Sequence, residues 1–206
     1  MRIHRSLLFI MIILLLIPAG VGARSLFEVG LGLSGIYDTN DPEDFDTFIQ
    51  GMGNGENWTI GVGLNTRLAF LDLSFLAMLP NGNQEGSEAL SLLSSVAFQV
   101  PLVTGSVYLT AGGGLTTDFT YPEDGSEARI IGRSASEVTF RDVVVDSPLH
   151  LRFGLDVLFG SAKVGLYYLM DSMASVGRLG EPGGWVDLFR SAGNDKIGMM
   201  MQLALF

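Results

Sequence analysis

The sequence predicts an all-β chain, an eight-stranded antiparallel up-and-down β-barrel that crosses a membrane. Three observations carry this. Apolar and polar residues alternate with a period of two in eight segments. The connections between those segments alternate long and short. The mean hydropathy is +0.38, yet beyond the N-terminal segment no apolar run is long enough for a membrane helix.

The N-terminal segment reads as a secretory signal. "MRIHR" is a basic head, "SLLFIMIILLLIP" an apolar core, and "AGVGA" a small-residue tail with Val21 and Ala23 where a signal peptidase reads. Cleavage is expected after Ala23, which makes 1–23 the signal and 24–206 the barrel domain. With no cysteine in the chain, neither a lipid anchor on cysteine nor a disulfide can form. Arg2 and Arg5 would leave with the signal and no acid would, taking the net charge from −10 to −12. That charge disfavours nucleic acid and anionic lipid surfaces as partners, and no nucleic acid is expected.

The strands follow in order. "LFEVGLGLSGIY" sets Phe27, Val29, Leu31, Leu33 and Tyr37 against Glu28, Gly30, Gly32 and Ser34. "NWTIGVGLNTRLAF" sets Trp58, Ile60, Val62, Leu64, Leu68 and Phe70 against Thr59, Gly61, Gly63, Asn65 and Arg67. "LDLSFLAML" opposes Leu71, Leu73, Phe75, Ala77 and Leu79 to Asp72 and Ser74. "ALSLLSSVAFQV" opposes Leu90, Leu92, Val96 and Phe98 to Ser91, Ser95 and Gln99. The fifth, "SVYLTAGGGLT", opposes Val107, Leu109, Ala111 and Leu115 to Tyr108, Thr110, Gly112 and Gly114. In "LHLRFGLDVLF", Leu151, Phe153, Leu155, Val157 and Phe159 oppose His150, Arg152, Gly154 and Asp156. "KVGLYYLM" separates Val164, Leu166, Tyr168 and Met170 from Lys163, Gly165 and Tyr167. The last strand groups Ile197, Met199, Met201, Leu203 and Leu205.

Long polar connections are expected at 38–56, 80–88, roughly 117–147 and 171–195, with tight turns near 70–71, 101–104 and 160–162. In an outer membrane the short turns are periplasmic and the long loops external, so both termini are expected in the periplasm. Aromatics of the apolar face fall at two levels: Phe27, Phe70, Phe98 and Phe159 at the turn end, and Tyr37, Trp58, Phe119 and Tyr168 at the loop end. Such girdles mark the two water interfaces of a lipid-facing wall.

On these features the chain resembles the small eight-stranded outer-membrane β-barrel proteins, the OmpA/OmpX/OmpW-like group. The resemblance implies an up-and-down barrel placed in the bacterial outer membrane by barrel-assembly machinery, and an insertion signal on the final aromatic, here Phe206. Gly198 resembles the glycine of that signal. Phe206 shares a face with Ala204 and Gln202, out of phase with the stripe Leu205, Leu203, Met201.

The inward face offers the most specific site. Glu28, Arg67, Asp72, Asp156 and Lys163 all project inward by parity and sit toward the turn end. A charge away from bulk water is costly unless paired, so acids and bases at one level predict a salt-bridged plug in the lumen. The inward glycines above it either leave a pocket or admit neighbours such as Tyr108 and Tyr167. In the loops, Phe45 with Phe48 and Trp185 with Phe189 stand at helical spacing, either packing on the rim or lining an entrance for an apolar molecule.

Other chemistry is thin. "DTNDPEDFD" is acidic, but a calcium loop would need Gly and Glu where Glu43 and Ile49 stand. It reads as a solvated loop, with Asp41 capping a short helix begun by Pro42. His150 follows Asp146 and Ser147 too closely around a proline for a hydrolytic triad. No catalytic residue, cofactor or metal is therefore expected. The expected function is a monomeric outer-membrane barrel of structural or surface-interaction role, plugged and non-conducting, with lipid as its surroundings. The alternative is a small-molecule channel of the OmpW-like kind for a hydrophobic solute. A secreted soluble β-protein would instead turn its apolar face inward.

Overall fold

The computed structural model describes residues 27–38, 50–79, 87–103, 105–122, 125–193 and 195–205. The expected signal at 1–23, the acidic stretch after Asp38 with Phe45 and Phe48, and Phe206 lie outside the described residues. The strands are β1 (Phe27–Asp38), β2 (Trp58–Leu68), β3 (Leu71–Met78), β4 (Ser87–Val103) and β5 (Val107–Pro122), then the short β6 (Arg129–Ile130) and β7 (Arg133–Ser134), then β8 (Pro148–Phe159), β9 (Ala162–Ser175) and β10 (Lys196–Ala204). Each barrel strand pairs antiparallel with its neighbours in the order β1-β2-β3-β4-β5-β8-β9-β10, and β10 returns to β1. The result is a closed ring of eight strands, each paired on both sides. Gly30 lies opposite Ala204, so the chain enters and leaves the barrel at the same end.

Strand pairing carries the predicted parity around the whole ring. Leu31 faces Leu64 and Leu203, while Gly32 faces Gly63 and Gln202. Because neighbours in register share a face, one alternating strand fixes the face of the next. At the turn end, Gly160 (φ 63°) forms a two-residue hairpin with Ser161. Ala69 takes the same left-handed conformation (φ 55°) without glycine's freedom.

Three strands outrun the alternation that predicts them. β4 and β5 stay paired out to Ser87 and Pro122, and β9 continues to Ser175. Backbone hydrogen bonds need no apolar face, so a ladder persists where the alternation fades. Beyond the barrel, β9 is capped by the next segment: Met173 N–H donates to Arg190 O at 3.0 Å and Ala192 N–H to Asp171 O at 2.8 Å. The connection expected at 117–147 also holds the β6–β7 hairpin, docked through Ile130 on Phe119, and helix α1 (Phe140–Asp146). A reciprocal cap starts α1: Asp142 N–H donates to Thr139 Oγ1, and Thr139 N–H donates to Asp142 Oδ2. Helix α2 (Gly184–Leu188) lies in the last long connection.

Candidate functional site: the barrel interior and its mouth

The wall is apolar outside and polar inside. Large apolar side chains such as Leu31, Val62, Phe75, Phe98, Leu166 and Met201 are exposed on the outer face, whereas Asn65, Arg67, Asp72, Gln99, Asp156 and Lys163 are buried. The turn-end girdle holds only phenylalanines, with Phe70 stacked on Phe98 at 6.1 Å. The loop-end girdle includes aromatics with polar tips: Trp58 Nε1 donates to Met52 O at 2.8 Å, and the Tyr168 hydroxyl donates to Asp195 at 2.5 Å. Tyr37 is an exception to the exposed pattern. It is buried against Trp58 and Gly51, because the segment entering β2 folds over it.

Glu28, Arg67, Asp72, Asp156 and Lys163 form two separate ion-paired groups at the turn end. Arg67 Nη2 lies 2.6 Å from Glu28 Oε2, across the β1–β2 register. Lys163 Nζ lies 3.1 Å from Asp72 and 3.7 Å from Asp156. Sequence reasoning missed the amides that complete the network, although it read both as inward. Asn65 Nδ2 donates to Asp72 Oδ1, and Gln99 Nε2 donates to Asp72 Oδ2 at 2.5 Å. Asp72 therefore accepts from two amides and an ammonium, which offsets the cost of burying its charge.

Along β3 the inward order is Asp72, Ser74, Leu76, Met78, and the interior is layered accordingly. Above the ion pairs, Arg152 donates to Ser74 Oγ at 2.7 Å and stacks over the Tyr167 ring at 4.7 Å. The Tyr167 hydroxyl bonds Ser34 Oγ. Arg152 makes the charges of these two lower layers even: Glu28, Asp72 and Asp156 against Arg67, Arg152 and Lys163. Higher still, Ile36, Leu76, Met78, Leu93, Leu169 and Met200 pack with Tyr167 into an apolar cluster inside the lumen. Its signal in the sequence is the lapse of alternation in "SFLAM", where Leu76 and Met78 are apolar at inward positions.

The inward glycines make room for neighbours. A Cβ at Gly30 would overlap the Gln202 side chain, one at Gly198 the Tyr167 ring, and one at Gly165 would lie 2.5 Å from Asp156 Oδ1. Of the two readings of these glycines, the structure realises the filled one at these positions.

His150 is fully buried, with Nε2 at 2.8 Å from Ser95 Oγ and Nδ1 at 3.0 Å from Thr116 Oγ1. Its neighbours in sequence go elsewhere: Ser147 bonds Thr117 and Asp146 pairs with Arg133. Nδ1 meets a hydroxyl where a hydrolytic triad has a carboxylate. Trp185 and Phe189 are 65% and 70% exposed on and just after α2, and neither lines the cavity at the barrel mouth.

An apolar belt outside and a hydrogen-bonded, charge-balanced interior define a transmembrane-type, eight-stranded β-barrel. No family model matches the chain, and no curated protein matches it. Among solved structures it is similar to the crystal structure of Neisserial surface protein A, at 9% identity with a TM-score of 0.44, over 88% of this chain and 99% of that one.

Proposed function

We propose that this protein is a bacterial outer-membrane barrel whose interior is a closed wall, serving a structural or surface-interaction role. The observation that supports this most is the inverted burial: Phe75 is 55% exposed while its neighbours Ser74 and Leu76 are 1% and 4% exposed. In water such a surface would aggregate; in lipid it is solvated. The long connections face outward, both termini lie in the periplasm, and the barrel works as a monomer inserted by the assembly machinery. The lower lumen is plugged by the Glu28–Arg67 and Asp72–Lys163–Asp156 pairs, and the apolar cluster above closes it further. That packing favours the closed wall over an OmpW-like route for a hydrophobic solute.

The test is fractionation with heat-modifiable migration in detergent gels. The mature protein should be found in the outer-membrane fraction, truncated after Ala23, and should migrate differently before and after boiling. Recovery from the periplasm without detergent would overturn the reading.

A further inference from the structure

At the loop end the lumen opens into a cavity of about 310 Å3 above the apolar cluster. That is room for about ten waters, at the small end of the range for ligand pockets. Ile36, Met78 and Leu93 give it an apolar floor, and Asp118, Asp171 and Lys196 are its charged lining. Lys196 and Asp171 are bound to each other. Asp118 is exposed, and among the described residues its carboxylate takes one hydrogen bond, from Ser91 Oγ at 2.5 Å.

We propose that this cavity binds a small amphiphilic organic cation, an aryl- or alkylammonium whose apolar body rests on Ile36, Met78 and Leu93 while its ammonium meets Asp118. The charge of the lining sets the sign. Two carboxylates face one ammonium that is already neutralised by Asp171, so the unmatched charge is negative and an anion meets repulsion. The floor sets the shape of the ligand, because a fully hydrated ion gains nothing from three apolar side chains. Among the described residues no group of three metal-ligating side chains is present, which separates this site from a metal centre. Below the floor the apolar cluster and the ion pairs fill the lumen. The cavity thus rests on a filled floor. The inference stands on the interior alone and is independent of which membrane holds the barrel.

The methionines give a direct readout. Met78 lines the cavity, whereas Met199 and Met201 are exposed on the outer wall, where detergent covers them. In the folded protein in micelles, with 13C-methyl methionine, phenethylammonium should shift the Met78 methyl saturably and leave Met199 and Met201 unmoved. The isosteric 2-phenylethanol should bind at least fivefold more weakly, and phenylacetate should not bind. Asp118→Asn should weaken the ammonium at least fivefold while the barrel keeps its heat-modifiable migration. Lys196→Gln, which releases Asp171, should tighten it. The inference is overturned if the alcohol or the carboxylate matches the ammonium, if shifts appear only at Met199 and Met201 or fail to saturate, or if neither substitution changes the affinity.

Discussion

Arg67 shows how a single side chain ties two strands together inside this barrel. Its guanidinium is 7% exposed and holds Glu28, which keeps 16% exposure, at 2.6 Å. Arg67→Met should therefore cost about 3 kcal/mol, the low end for breaking a buried pair, because Glu28 is left charged but not wholly dry. Arg67→Met with Glu28→Gln should recover most of that loss, since no lone charge remains. Urea unfolding followed by tryptophan fluorescence measures both; a double variant no more stable than the single would contradict the pairing. Asp142 acts at the same scale in the loop. Hydrogen bonds from the Thr139 hydroxyl, then from the Thr139 amide, hold its carboxyl below the usual aspartate range. A group depressed in the folded state stabilises above its unfolded value and loses that contribution as pH falls through the folded one. The start of α1 should thus stay ordered above the usual aspartate range and fray as the pH falls below it, seen as a shift of the amide resonances of 140–143. Thr139→Ala, which removes the hydroxyl and keeps the amide, should weaken that pH dependence.

For the strands, the consequence is register. In β2 the outward residues Val62 and Leu64 are 54% and 41% exposed, whereas Gly61 and Asn65 are buried. Cysteines at 62 and 64 should react with lipid-phase thiol probes, and cysteines at 61 and 65 should be protected. The opposite pattern would mean a slip of one residue, which exchanges the two faces of every strand in the ring. α1 and α2 are short, and their seven and five residues are below the length at which a helix is stable alone. They depend on their caps and on docking: Ser172 Oγ donates to Asp187 O at 3.0 Å, which ties α2 to β9.

In the whole molecule, eight strands leave an interior that side chains can fill, and here they fill it in layers. Purified protein in planar bilayers should show no steady ion conductance under applied voltage. A large, well-resolved channel in the native protein would refute the closed wall. Lys163→Met should leave Asp72 and Asp156 facing each other without their shared cation. It should lower stability more than Arg67→Met does, because both carboxylates are 2% exposed.

The sequence by itself determined the ring. Alternation in eight segments assigned the outward face, Tyr37 excepted, and connection length assigned which strands are neighbours. Parity then placed Glu28, Arg67, Asp72, Asp156 and Lys163 inside. These are local properties, because a strand's face is set by its own period of two. Tertiary structure alone decided how the interior is shared. Whether Lys163 meets Asp72 or Glu28, whether His150 finds Ser147 or Ser95, and whether a glycine leaves a pocket or admits Tyr167 all depend on groups arriving from strands far apart in the chain. Ser34 and Tyr167 are 133 residues apart and bonded, and no period along the chain encodes that distance. The stagger between strands that a closed barrel requires sets which levels coincide across the lumen, and that is a property of the closed ring.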